Sequence, residues 1–196
     1  MDHESTWDKR LQIKTAGRDA TNADQYHHPY EPTPYCVLER LADSGWIGQE
    51  DVVLDYGCAK GRVGFFLSER TKAKTIGIEY DDRIYAGALE NQKSAGKTKA
   101  EFVLTRAEEY AVPPDVTCCY FFNPFSVEIL RKVMARILES YYEAPREMLL
   151  LFYYPADEYI SYLMNVEELE FFDEIECDDL FAQNGQRERI MIFQLP

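Results

Sequence analysis

The chain has 196 residues, 46% of them hydrophobic and 14% aromatic; that is long enough for one domain with a substantial core and too apolar for disorder. Its formal net charge is −14 and no basic run exceeds isolated pairs, which argues against nucleic acid as a partner and for a small molecule or a protein, in an acidic field that draws cationic ligands. No apolar stretch nears the roughly 20 residues that span a bilayer, and "MDHESTWDKR" lacks the apolar core of a secretory signal, so a cytoplasmic location without a membrane partner is expected.

Residues 1–34 are polar, aromatic and without regular apolar repeats; "YHHPYEPTPY" holds three prolines and reads as extended or turn structure. "YCVLERLAD" (35–43) places Val37, Leu38 and Leu41 at helical spacing, and "SGW" ends that helix. Alternation then sets in. "DVVLDY", "AKTIGIEY", "AEFVLT", "DVTCCYFF" and "REMLLLFYY" read as buried strands. Between them "GRVGFFLSER", "DRIYAGALENQKSAG" and "SVEILRKVMARILESYY" read as helices, with Gly96 as a C-cap and Ser126 as an N-cap. The last of these places Ile129, Val133, Ile137 and Leu138 on one face. A short helix, "ADEYISYLMN", follows. Two strands, "LEFFDEIE" and "RERIMIFQL", close the chain through a turn at "QNGQ". The five cysteines, Cys36, Cys58, Cys118, Cys119 and Cys177, are odd in number and lack CxxC spacing. They fit a reducing compartment rather than a disulfide framework or a zinc site, with Cys118 and Cys119 as buried thiols.

This alternation implies an α/β fold: a three-layer Rossmann-like architecture, its mostly parallel seven-stranded sheet ending in an antiparallel strand and covered by helices on both faces. In such a sheet the ligand sits beyond the carboxyl ends of the strands, and the turn after the first strand lines that crevice. Here the turn runs from Tyr56 to Lys60, between Asp55 and Gly61. Gly57 and Gly61 let the backbone come close to a ligand, and the helix from Gly61 aims its amides there. One reading is a dinucleotide pyrophosphate, but Asp55 would repel it, and Ala59 stands where GxGxxG has its first glycine. The other is a ligand with both a carboxylate and an ammonium, such as the methionine part of S-adenosylmethionine. Glu79 closes the second strand, where an acid accepts hydrogen bonds from ribose hydroxyls.

With these residues in register, the chain resembles the class I S-adenosylmethionine-dependent methyltransferases over about residues 35–196. "VVLDYGCAKGRVGFFL", "TIGIEYD", "EFVLTRAEEY" and "CCYFFNPFS" look like the first four motifs of that family. The resemblance implies S-adenosyl-L-methionine as cofactor. It implies that Asp55, Tyr56, Gly57, Cys58 and Gly61 line its methionine end, that Glu79 holds the ribose, that Tyr80 lies against the adenine, and that Arg106, Ala107 and Glu108 edge the ring. The loop departs from the family at Ala59, which narrows the turn, and at Arg106, where many members carry an acid.

"FFNPF" (121–125) resembles the Asn-Pro-Pro-Phe motif of methyltransferases acting on planar nitrogen, with one proline missing. That resemblance gives Asn123, Pro124 and Phe125 the catalytic positions, with the Asn123 side chain accepting from the acceptor amine. The same turn also reads as a proline turn capping the next helix, with Phe125 in the core. A base is required only where the acceptor arrives protonated, as a lysine ammonium does; His27, His28, Glu31 and Asp115 are the groups available, and none is singled out. His27 and His28 are adjacent and point different ways, which argues against a metal site. Residues 1–34 are expected to cap the cofactor and acceptor site, and "YEPTPYCVLERL" looks like the stretch before the first motif in some protein-lysine methyltransferases. The sequence thus points to methyl transfer to a nitrogen of a protein side chain or small molecule; a nicotinamide-dependent oxidoreductase and a non-catalytic S-adenosylmethionine-binding module are the alternatives.

Overall fold

A computed structural model describes residues 3–21, 24–182 and 187–196. The strands are β1 (Val52–Tyr56), β2 (Lys74–Glu79), β3 (Ala100–Leu104), β4 (Cys118–Phe121), β5 (Met148–Tyr153), β6 (Glu170–Glu176) and β7 (Arg189–Leu195). They form one seven-stranded sheet in the order β3-β2-β1-β4-β5-β7-β6. The first five are parallel, and β7 runs antiparallel to both β5 and β6. Strand order reverses between β1 and β4, which opens the crevice where ligands bind in such sheets. The "QNGQ" turn expected between the last two strands lies outside the described residues.

The inner strands are continuous apolar runs because both their faces are covered. On one face Val53, Cys118, Tyr120 and Leu151 pack against α2 (Tyr35–Asp43) and α3 (Arg62–Thr71) through Leu38, Leu41, Phe66 and Leu67. A small cluster of Phe65, Ala88 and Phe102 joins α3, α4 (Asp82–Ala95) and β3. On the other face Leu54, Cys119, Phe121 and Phe152 meet α5 (Val127–Glu143) and α6 (Asp157–Leu163). In α5 the four-residue spacing of Ile129, Val133 and Ile137 forms the buried stripe, with Leu130 and Met134 beside it. Gly96 does cap α4 at φ 71°. Ser126 occupies the N-cap position of α5, yet its hydroxyl makes no capping bond; the backbone N–H instead donates to the Tyr26 carbonyl at 2.8 Å.

The N-terminal region departs from expectation by containing a helix, α1 (His3–Leu11). Trp7 is its apolar anchor, packed on Phe66 at 4.8 Å and on Tyr35 at 5.9 Å between ring centroids. Polar contacts do the rest. Arg62, the first residue of α3, is only 4% exposed. It pairs with Glu4, donates to the Thr15 hydroxyl at 2.7 Å and to the Thr33 carbonyl at 3.1 Å, and lies over the Tyr35 ring. Asp8 accepts from Thr15 and from the Tyr35 hydroxyl. A buried guanidinium thus ties Glu4, Thr15 and Thr33 to the helix that follows the glycine loop.

Candidate functional site

β1 ends at Tyr56 and the chain turns through Gly57, Cys58, Ala59 and Lys60 before α3 begins at Arg62. Gly57 sits at φ 74°, and a Cβ there would lie 2.6 Å from Pro124 Cβ. Gly61 sits at φ 87°, and its Cβ would meet the Phe102 ring at 2.5 Å. At both glycines the space a Cβ would fill is taken by protein, although Gly57 also lines the pocket. Gly57 admits the Asn-Pro-Phe turn, and Gly61 admits a strand β3 side chain under α3. Gly61 is accordingly absent from the pocket lining, a correction to its expected ligand contact. Ala59, in the place of a glycine, adopts φ 50°, a conformation that costs a Cβ-bearing residue about 1 kcal/mol or more. Its amide donates to Glu79 Oε2 at 3.0 Å, which holds it there.

Glu79 ends β2 beside this loop. Besides Ala59 it accepts from the amides of Tyr80 and Asp81 through Oε1, both at 2.9 Å. Three backbone donors fix the carboxylate and leave part of its acceptor capacity for a further hydroxyl. Burial nonetheless pushes its pKa up, against the pull of those amides.

Asp55 is buried at 3% exposure on β1, beside Gly77 of β2 and Tyr120 of β4. Its Oδ2 has no hydrogen-bond partner in the protein. Burial, and then the negative charge of Glu79, raise its pKa from 3.8 to about 8. A buried unpaired carboxyl is costly, and a cationic donor arriving through the pocket is the partner its chemistry calls for.

These groups open onto one pocket. The expected residues Asp55, Tyr56, Gly57 and Cys58 line it, as do Glu79, Tyr80, Arg106, Ala107 and Glu108, and Pro124 and Phe125. Tyr80 stacks on His27, with ring centroids 4.2 Å apart. Ala107 and Glu108 begin a 3-10 turn after β3.

Asn123 is the second correction. Its amide nitrogen donates to the Tyr154 carbonyl and its Oδ1 accepts from the Ala156 amide at 3.1 Å. Both ends of the side chain thus brace the β5–α6 connection, and Asn123 is not among the lining residues. Pro124 and Phe125 of this turn line the pocket, whereas both ends of the Asn123 side chain are engaged by Tyr154 and Ala156.

His27 to Thr33 line the pocket; His27, His28 and Glu31 are among the candidate bases the sequence offers, whereas Arg62 and Tyr120 were passed over. His27 bridges Phe125 in an antiparallel pair, and the His28 amide donates to the Pro124 carbonyl at 3.3 Å. Tyr120, whose hydroxyl meets Thr33 at 3.0 Å, and Arg62 also reach the pocket. Their signal in the sequence was periodicity alone: Tyr120 shares Asp55's face of the sheet.

Residues 53–143 match a family described as a methyltransferase domain. Over 73 residues the chain is 34% identical to a protein-lysine N-methyltransferase of Saccharolobus islandicus (strain REY15A), a match covering 37% of this chain. The chain thus spans 45% of that relative's length. Among solved structures it is similar to an RNA methyltransferase from Salinibacter ruber in complex with S-adenosyl-L-homocysteine, with a TM-score of 0.60 at 18% identity over 85% of this chain and 94% of that one. It is also similar to a SAM-dependent methyltransferase from Aquifex aeolicus, with a TM-score of 0.63 at 14% identity over 81% and 89% of the two chains. The fold is that of a class I S-adenosylmethionine-dependent methyltransferase. Within this methyltransferase fold the pocket lies at the β1/β4 reversal, and the last strand is inserted antiparallel between its neighbours. Among the described residues, no helix is long and apolar enough to cross a membrane.

Proposed function

We propose that the protein is a cytoplasmic enzyme that transfers a methyl group from S-adenosylmethionine to the ε-amine of a lysine on a protein substrate. The observation that carries the cofactor is Asp55: a buried carboxyl with an orphaned oxygen, suited to the α-ammonium of the methionine moiety. Glu79, with acceptor capacity beyond its three amides, suits a ribose hydroxyl. Tyr56, Gly57 and Cys58 hold the methionine end, while Tyr80, Arg106, Ala107 and Glu108 border the adenine. Gly61 supports the loop from behind. Bound there, the cofactor supplies an electrophilic methyl group on a sulfonium.

For the acceptor, support comes from the similarity to a protein-lysine N-methyltransferase over 73 residues and from the net charge of −14, which favours a cationic side chain. His27 to Thr33 line the pocket, which supports reading residues 1–34 as a cap over the site of residues 35–196. Pro124 and Phe125 form the wall against which the amine is aligned. Alignment at about 3 to 3.5 Å from the methyl carbon, in a water-poor cleft, is the main contribution such a site makes to the rate.

The test is transfer of a labelled methyl group from S-adenosylmethionine into cell extract, with protease and nuclease treatment and amino-acid analysis. Label in methyl-lysine, removed by protease and absent with Asp55→Ala, is the expected result. Label that survives protease but not nuclease overturns the acceptor class, and no transfer despite cofactor binding overturns the enzymatic reading.

A further inference from the structure

The two adjacent histidines of the strap have different surroundings. His27 Nδ1 lies 3.1 Å from the Asp24 carboxylate, and its ring stacks on Tyr80. His28 Nδ1 lies 2.8 Å from the backbone oxygen of Asn123. A carbonyl oxygen can only accept, so Nδ1 carries the hydrogen, and in the neutral ring Nε2 carries the lone pair. The backbone around this ring is fixed by the His28 amide on Pro124, the His27–Phe125 bridge and the Ser126 amide on Tyr26. Asn123 itself is held at φ 39° by its two side-chain bonds to the β5–α6 connection. The ring is therefore oriented by the turn that meets the acceptor, and His28 both lines the pocket and is exposed to solvent.

The pocket's carboxylates are less suited to taking a proton from the acceptor. Asp81 caps α4, Asp19 is paired with Arg83, and Glu79 is held by three amides. Glu108 lies 4.0 Å from Arg106. Asp55, near the end of β1, is the group that takes the cofactor ammonium. Glu31 is an exposed carboxylate at the mouth, placed to attract an ammonium.

We infer that His28 is the general base of the reaction, taking a proton from the acceptor ammonium through Nε2; this rests on the lysine reading above. One ammonium N–H bond breaks and an Nε2–H bond forms. The electron pair stays on the amine nitrogen as the lone pair that attacks the methyl carbon, and the proton leaves through the exposed imidazole to water. The Asn123 side chain acts at a distance, as a positioning group for the carbonyl that orients His28.

The test compares wild type with His28→Asn, whose amide N–H can reproduce the Nδ1 bond to Asn123 but which offers no proton acceptor of imidazole strength. Two peptides serve as acceptors: one with lysine, and one with an aminooxy analogue that is neutral at pH 7. The expected result is a loss of about 10²-fold or more in kcat on lysine, little change on the aminooxy peptide, and unchanged S-adenosylhomocysteine affinity by calorimetry. Nitrogen NMR of wild type should show neutral His28 as the Nδ1–H tautomer. Equal losses on both peptides, wild-type rates on lysine, or an Nε2–H tautomer overturn the assignment. If wild type methylates only the aminooxy peptide, or neither, the lysine reading falls, and this inference with it.

Discussion

Replacing Asp55 by Asn removes a buried titrating group while nearly keeping its shape. The folded carboxyl holds its proton until about pH 8, whereas the ordinary value is 3.8. Between those limits the folded state binds one proton more than the unfolded chain, so this group lowers stability as pH rises. The slope is about 1.4 kcal/mol per pH unit, accumulating to about 6 kcal/mol before it levels off above pH 8. Asp55→Asn lacks this titration, so in urea titrations its stability relative to wild type should climb by about 1.4 kcal/mol per unit from pH 5 to 7, less steeply towards pH 8. Cofactor binding reverses the preference, because an ammonium favours the ionised carboxyl. At pH 7, calorimetry in buffers of different ionisation enthalpy should show release of close to one proton on binding by wild type and none from this site in the variant. Affinity should fall by about 10²-fold, as expected for a lost charged hydrogen bond of about 2–3 kcal/mol. A stability difference that is flat with pH, or equal proton release by both proteins, would refute the reasoning.

Three further substitutions probe the surroundings. Glu79→Gln turns an amide NH₂ or a weaker acceptor toward three backbone N–H groups, and should cost about 1–3 kcal/mol in chemical denaturation and weaken S-adenosylhomocysteine binding measurably by calorimetry. Gly57→Ala places a Cβ 2.6 Å from Pro124 at a positive φ, so it should lower Tm by several degrees or more and reduce methyl transfer by displacing the acceptor turn. Arg62→Met leaves Glu4 and Asp8 without their cation; a loss of about 3–5 kcal/mol is expected, and limited proteolysis should then cut within residues 1–34 faster than in wild type.

The central sheet was legible because its strands are short apolar runs separated by helical periods, and burial on both faces makes those runs unambiguous. Asp55 and Glu79 were legible because position at a strand end decides where a side chain opens. The helix His3–Leu11 was not, since only Trp7 and Leu11 mark its apolar side, and its anchors, Arg62 and Tyr35, lie far along the chain. Asn123 misled for the same reason: its partners, Tyr154 and Ala156, lie 31 and 33 residues downstream, so the direction of its amide is a tertiary fact. Gly61 has the spacing of a ligand-approach glycine, but the ring that fills its space comes from Phe102, two strands away in sequence.

The most direct measurement is a crystal structure of the protein soaked with S-adenosylhomocysteine. The account predicts the amino group within hydrogen-bond distance of Asp55 Oδ2, a ribose hydroxyl on Glu79, and the sulfur facing Pro124 and Phe125. Density for the nucleoside elsewhere, with Asp55 still lacking a partner, would contradict it.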